Sequence, residues 1–374
     1  LSKLYKINLL VSGTHLEKNW NTKTEILQMI KPDNSTGNIN VIEISADDRI
    51  ESFEYTSLLP SISKSFLNYR NNTTDQIKFC LFLGDRIETA AYAITAMYLE
   101  NILIHICGGD IGDIAHFDHN IRHVLTKISH LHLVTNQQSF NVVKQLGEEE
   151  WRICNIGMPS LDIAKSQISL TKDELKHKLN LTSDNLIIAT YHPDHYSSDE
   201  EILSRFKTMI EGLNDLDYQV ILTYPNNDPG YKVILEEIEQ NVTRIKNIKI
   251  IKNLGIKLYT NLLNSLNVIL IGNTSSIVLE SSFFKVPSLL LGPRQSGRLR
   301  GKNVSELIEF SSSDIKTFVI NNFKNYENLK ETFSKNEYIY GDGQSVEKTI
   351  IYLDTVFKNY SIKKLLSKKF SFPL

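Results

Sequence analysis

The 374-residue chain is 41% hydrophobic and 22% charged, proportions that allow a buried core, and its length suits about two domains. A net charge of -2, from 41 basic and 43 acidic residues, gives no electrostatic case for nucleic acid or an anionic membrane. Cys80, Cys107 and Cys154 form no CxxC pair, and no signal peptide or apolar run of membrane-spanning length is seen, so a cytoplasmic protein is expected.

Short apolar runs alternate with helical patterns along the first half. Ile7–Val11, Ile39–Ile44, Phe79–Leu83, Ile102–Ile106 and Leu131–Val134 read as strands covered on both faces. Helical stretches fall between them: Ser52–Tyr69, Ile87–Leu99, Asp118–Ile128 and Gln137–Leu146. This order predicts a parallel sheet. The pattern restarts after a polar connection, Ser160–Asp184, with helix-start chemistry at Ser169–Glu174. Leu186–Ala189, Gln219–Thr223, Ile248–Ile251, Val268–Ile271 and Ser288–Leu291 are the second set of strands. Ser198–Asn214, Tyr231–Gln240, Ile256–Ser265 and Ser275–Phe284 are the helices between them. The fold expected is α/β, with two doubly wound Rossmann-like domains and a cleft between them.

Candidate chemistry sits at strand ends. Val268–Ile271 runs into Gly272, Asn273, Thr274, Ser275 and Ser276 and then a helix, where free backbone N–H groups and hydroxyls suit a diphosphate. Glu280 follows about one turn later, in reach of ribose hydroxyls. A plain helix cap explains the same residues equally well. Arg294 and Arg298, in a Gly-containing loop after another strand, suit a phosphate clamp. In the first half Asp85 and Asp110 each follow a strand, and Asp118 starts a helix carrying Asn120, Arg122 and His123. Several carboxylates at strand ends can divide acid and base roles. His116, His119, His123, His130 and His132 match no standard zinc spacing, and no metal is expected. His192 ends the first strand of the second half and is a ligand or acid candidate, with a structural role equally open.

Taken in order, these motifs resemble the hydrolysing UDP-N-acetylglucosamine 2-epimerases of sialic-acid-type sugar synthesis. Val11–Leu16 is similar to the family's "TGMHL", and Gly84–Glu88 to "GDRxE". Asp118–His132 resembles "DxxIRHxxTKLSHLH", and Tyr224–Gly230 resembles "YPNxDxG". Gly272–Pro287, Arg294–Arg298 and Asn303–Val304 resemble "GNSSSGIIEA…PT…DRQxGR…NV". Three departures stand out. Asp110 replaces the Glu of "GGE", Ile277 replaces a Gly of the serine turn, and the opening strand with its "GTRAD" loop has no counterpart.

The resemblance implies a glycosyltransferase-B-type fold, with the sugar between the domains and UDP on the second. Residues 1–165, lacking the opening strand and joined by a C-terminal helix at 345–374, would form one domain, and 166–344 the UDP-binding one. UDP would be eliminated from a UDP-N-acetylhexosamine and water added, giving a free 2-epimerised sugar such as N-acetylmannosamine. Asp85, Asp110 and Asp118 would be the acid/base group, undivided into roles. His15, Arg86, His192, Asn273, Ser275, Ser276, Glu280, Arg294 and Arg298 would bind the UDP-sugar. No cofactor is implied, and a homodimer is. A glycosyltransferase of the same fold and a non-catalytic sugar-nucleotide binder are the alternative readings.

Overall fold

A computed structural model describes residues 6–11, 39–43, 55–74, 78–112, 117–194, 197–214, 216–226 and 228–371. The strands are β1 (Ile7–Val11), β2 (Ile39–Glu43), β3 (Phe79–Leu83), β4 (Ile102–Ile106), β5 (Leu131–Val134), β6 (Ile153–Asn155), β7 (Asn185–Thr190), β8 (Gln219–Leu222), β9 (Ile248–Ile250), β10 (Asn267–Gly272), β11 (Ser288–Leu291) and β12 (Val304–Leu307). The helices that position the site are α1 (Tyr55–Asn72), α2 (Ile87–Tyr98), α3 (Phe117–Ile128), α4 (Gln137–Gln145), α5 (Pro159–Ser166), α6 (Lys172–Leu179), α7 (Asp199–Leu213), α8 (Tyr231–Gln240), α9 (Gly255–Ser265) and α10 (Glu280–Phe284). Four more follow: α11 (Ser312–Lys324), α12 (Tyr326–Ser334), α13 (Ser345–Asn359) and α14 (Ile362–Leu366).

All the strand pairs are parallel. The second half forms one six-stranded sheet in the order β12-β11-β10-β7-β8-β9. Chain order reverses between β7 and β10, which places their carboxyl ends at the switch point where such sheets bind ligands. The sheet is apolar on both faces: Ile187, Ala189 and Ile271 enter one core, Leu186, Ile188 and Leu270 the other. Alternation with a period of two puts successive residues in opposite cores, so the strand sequence reads as an unbroken apolar run.

The first half differs from the single sheet expected. Four strands run β3-β4-β5-β6, while β1 and β2 pair as a separate two-stranded sheet among the described residues. Leu10 and Ile42 nevertheless share a core with Phe66, Phe82 and Leu103, so both sheets lie under the same helices. On β3, an edge strand among the described residues, Leu81 and Leu83 are about half exposed, at 45% and 55%. The C-terminal helices return to this half: Leu353 and Val356 of α13 and Leu365 of α14 pack on Ile104, Leu131 and Leu133. Arg152 ties them down, donating to the carbonyls of Leu365, Lys364 and Ser367.

The connection between the halves is helical. Thr171 and Glu174 form a capping box that starts α6, as the Ser169–Glu174 stretch suggested. The expected helix Ser275–Phe284 is broken: Ser275–Ile277 is a 3₁₀ turn, and α10 begins only at Glu280. Ser281 and Ser282 bond back to the carbonyls of Ile277 and Val278, contacts that bend a helix at this point.

Candidate functional site

In the first half Arg122 links the Asp85 carboxylate to the Asp110 loop. It lies one turn after Asp118 on α3, so both side chains leave the same helix face. Its guanidinium is ion-paired to Asp85, which follows β3, and donates to the backbone carbonyl of Asp110 at 2.5 Å. The sequence placed Arg122 in this stretch without assigning it a role. Two buried hydroxyls, Thr135 and Ser139, were also not foreseen. They donate to Asp110 Oδ1 at 2.5 and 2.6 Å. Burial raises the Asp110 carboxyl above its usual value, against the pull of Ser139, Thr135, Arg122 and Arg298.

Asp110 is reached through a tight turn. Cys107 adopts a left-handed φ of 64°, and at Gly109, with φ 75°, a Cβ would lie 2.5 Å from the Ser139 carbonyl. Only glycine fits at 109, and α4 can therefore approach the carboxylate loop closely. Arg86, at the N-cap of α2, turns outward with 59% of its side chain exposed and meets Glu88 at 3.5 Å. His15 lies outside the described residues.

In the second half β7 and β10 deliver His192 and Asn273 side by side. At Gly272, φ is 137° and a Cβ would fall 1.7 Å from the Thr190 carbonyl. Backbone of β7 fills that space. The Asn273 side chain, expected to touch UDP, makes its hydrogen bonds to protein. It accepts from the His192 N–H at 2.7 Å, donates to the His192 carbonyl at 2.8 Å, and is fully buried. His192 Nδ1 accepts from the Asn226 N–H at 3.0 Å, which leaves Nε2 as the protonated, donating nitrogen of the neutral ring. Burial, then the charge of Arg294, lowers its pKa to about 4.

Arg294 braces the same loop, pairing with Asp228 at 2.6 Å and donating to the Pro193 carbonyl. Ser275 is partly exposed at the start of the 3₁₀ turn, and the Ser276 hydroxyl is hydrogen-bonded to Tyr259. Glu280 accepts from Ser160 at 3.4 Å, and burial raises its carboxyl.

Arg298 crosses between the halves. Gly112, just beyond Asp110, has space for a Cβ 3.6 Å from Arg298 Nη2 and 3.7 Å from Arg122 Nη1. Two guanidinium groups thus converge beside the Asp110 loop. Among the described residues the Arg298 guanidinium has no hydrogen-bond or ion-pair partner, and its charge bears on both Asp110 and Glu280. A paired carboxyl group, a donating imidazole and a free guanidinium can move a proton and stabilise a departing phosphate.

A family model described as UDP-N-acetylglucosamine 2-epimerase matches residues 3–354. The GDP/UDP-N,N'-diacetylbacillosamine 2-epimerase (hydrolyzing) of Campylobacter jejuni is 33% identical over 307 residues, 80% of this chain and 76% of that one. The UDP-N,N'-diacetylbacillosamine 2-epimerase (hydrolyzing) of Legionella pneumophila is 28% identical, covering 94% of this chain and 88% of its own. The fold matches the crystal structure of a Neisseria meningitidis UDP-GlcNAc 2-epimerase bound to UDP-GlcNAc, with a TM-score of 0.70 and 15% identity over 94% of this chain and all of that one.

Proposed function

The chain belongs to the UDP-N-acetylglucosamine 2-epimerase family, and from that premise we propose that it hydrolyses and epimerises a UDP-N-acetylhexosamine. The products are UDP and the free sugar inverted at C2. The observation that carries this reading is the convergence of Arg298 and Arg122 at Gly112, beside Asp110. The C2 hydrogen is weakly acidic, so loss of UDP must be assisted while a base waits at C2. Arg298 and the Nε2–H of His192 take the diphosphate, with Ser275 beside them. Glu280 takes the ribose hydroxyls. Asp85 and the Asp110 loop, both bonded to Arg122, and Asp118 one turn before it share the proton transfers at C2 and the later addition of water.

The sugar is UDP-N-acetylglucosamine or a 4-acetamido-6-deoxy relative. The names of the Campylobacter and Legionella relatives favour the second. We take residues 1–165 with 345–374 as the unit carrying the carboxylates, and 166–344 as the UDP-binding unit. The enzyme is cytoplasmic and a homodimer in this reading. Leu67 of α1, Ile94 and Tyr98 of α2 and Val124 of α3 offer exposed apolar surface on neighbouring helices for a second copy.

The test is incubation with UDP-N-acetylglucosamine and with UDP-N,N'-diacetylbacillosamine in deuterated water, without an acceptor. UDP and a free sugar deuterated at C2 are expected. Failure to release UDP from either donor overturns the reading. Release only after a sugar acceptor is added points to a glycosyltransferase.

A further inference from the structure

We infer that His105 is a positioning residue for this reaction, a buried ring that fastens the turn carrying Asp85 to the helix carrying Arg122 and Asp118. The inference rests on the function proposed above. His105 lies on β4 with no exposed surface. Its Nε2 is 2.8 Å from the carbonyl of Gly84, the residue before Asp85. A carbonyl only accepts, so Nε2 carries the hydrogen. The ring is neutral, because burial above all pushes its pKa down to about 3, and Nδ1 is therefore an acceptor.

Nδ1 faces the Thr126 hydroxyl at 3.3 Å, and that hydroxyl's one hydrogen is shared between Nδ1 and the Arg122 carbonyl, the nearer acceptor at 2.9 Å. One ring thus connects the backbone at Asp85 to the turn of α3 that projects Arg122. The third loop rests on the same ring: a Cβ at Gly108 would stand 2.9 Å from Nδ1. Cys107–Asp110 can pass only because residue 108 has no side chain. On the other side Phe82 packs on the imidazole with ring centroids 5.3 Å apart.

The Gly84 carbonyl explains why a polar ring is placed here. Pairing of β3 with β4 ends at Leu83 and Ile106, and Gly84 turns away with φ 88°. Its carbonyl has left the ladder and takes its hydrogen bond from His105. A hydrocarbon at 105 would fill the space and leave the Gly84 carbonyl without its donor.

The test compares H105F, H105Q, H105N and T126V with the wild-type chain in the UDP-release assay, alongside UDP affinity by calorimetry. Gln places an amide near the Nε2 position and can donate to Gly84, whereas Asn falls short of it. H105F is expected to lower kcat on the order of 100-fold, while KM and the Kd for UDP stay within about threefold. H105Q is expected to recover at least about tenfold of that loss, H105N to recover less, and T126V to lose about tenfold. Wild-type kcat in H105F, equal recovery by H105N and H105Q, or a parallel loss of UDP affinity overturns the inference. If H105F is insoluble, the contrast between H105Q and H105N decides. A wild-type chain that releases no UDP instead sinks the proposed function, and the positioning role with it.

Discussion

Asn273 holds His192 by both ends of its backbone, accepting from its N–H at 2.7 Å and donating to its carbonyl at 2.8 Å. The same amide lies 3.2 Å from Asp194, which also accepts from the Tyr191 hydroxyl and Arg205. A residue type suited to phosphate therefore serves to aim the imidazole that we propose for the diphosphate. Asn273→Asp keeps the shape, loses the donor and sets a second carboxylate against Asp194. We expect UDP affinity to fall about tenfold, through loss of the hydrogen bonds that Nδ2 donates to His192 and Asp194. Calorimetry on the folded variant checks this, and unchanged affinity contradicts the clamp.

Much of this fold could be read from periodicity, because strands buried on both faces appear as apolar runs, as in Val268–Ile271. Ile153–Asn155 and Val304–Leu307 escaped notice because three or four residues with Asn, Ser or Glu among them carry no pattern. The serine turn follows no simple helical pattern: Ser275–Ile277 closes as a 3₁₀ turn before α10 begins at Glu280, a break that residues favourable to both a cap and a helix start do not record. At the site, Asp85 and Asp110 were visible because they end strands. Thr135, Ser139 and His105 were not. Their roles come from partners more than 20 residues distant, and no spacing records such contacts.

Arg298 should be the most sensitive cation for nucleotide binding. Arg294 already has Asp228 at 2.6 Å, whereas Arg298 reaches Gly112 with no partner among the described residues. Arg298→Ala is expected to weaken UDP binding about 10- to 100-fold, the effect of one charge-assisted hydrogen bond or two. Arg298→Lys should restore only part, since an ammonium lacks the planar fork. Titration of UDP at two salt concentrations measures both. An effect of Arg294→Ala larger than that of Arg298→Ala would reverse the assignment.

The hydroxyls on Asp110 set a pH dependence. Burial raises its carboxyl, and Ser139 and Thr135 oppose the rise by bonding the ionised form. Removing them in Thr135→Val with Ser139→Ala takes away that opposition, so the pKa moves further up. The limb of the kcat profile governed by Asp110 then shifts to higher pH, whether it acts as acid or base. A shift to lower pH, or an unmoved profile in an active variant, rules this out.

Glu148 anchors the C-terminal tail, and its sign is the opposite one. Its carboxylate is fully buried with Lys127 at 2.6 Å, Lys368 at 2.8 Å and His132 at 3.2 Å. Burial works against the charge, yet these donors hold the pKa at about 2. Lys368 carries the tail: it also donates to the Ser129 carbonyl at 2.7 Å, and Phe370 lies under Lys127. A carboxyl whose pKa is depressed on folding stabilises the fold above its ordinary value near 4.5, and that stability disappears as pH falls through about 2. Glu148→Gln leaves Lys368 buried without its counter-charge, which costs about 3 kcal/mol. Urea denaturation at pH 7 should show that difference, and it should narrow as the pH falls from about 4.5 towards about 2, because the unfolded chain protonates this carboxyl in that range while the folded wild-type chain does so only near 2. Equal stability at pH 7, or a difference that widens in acid, would show that the tail is held by Arg152 and apolar contacts alone.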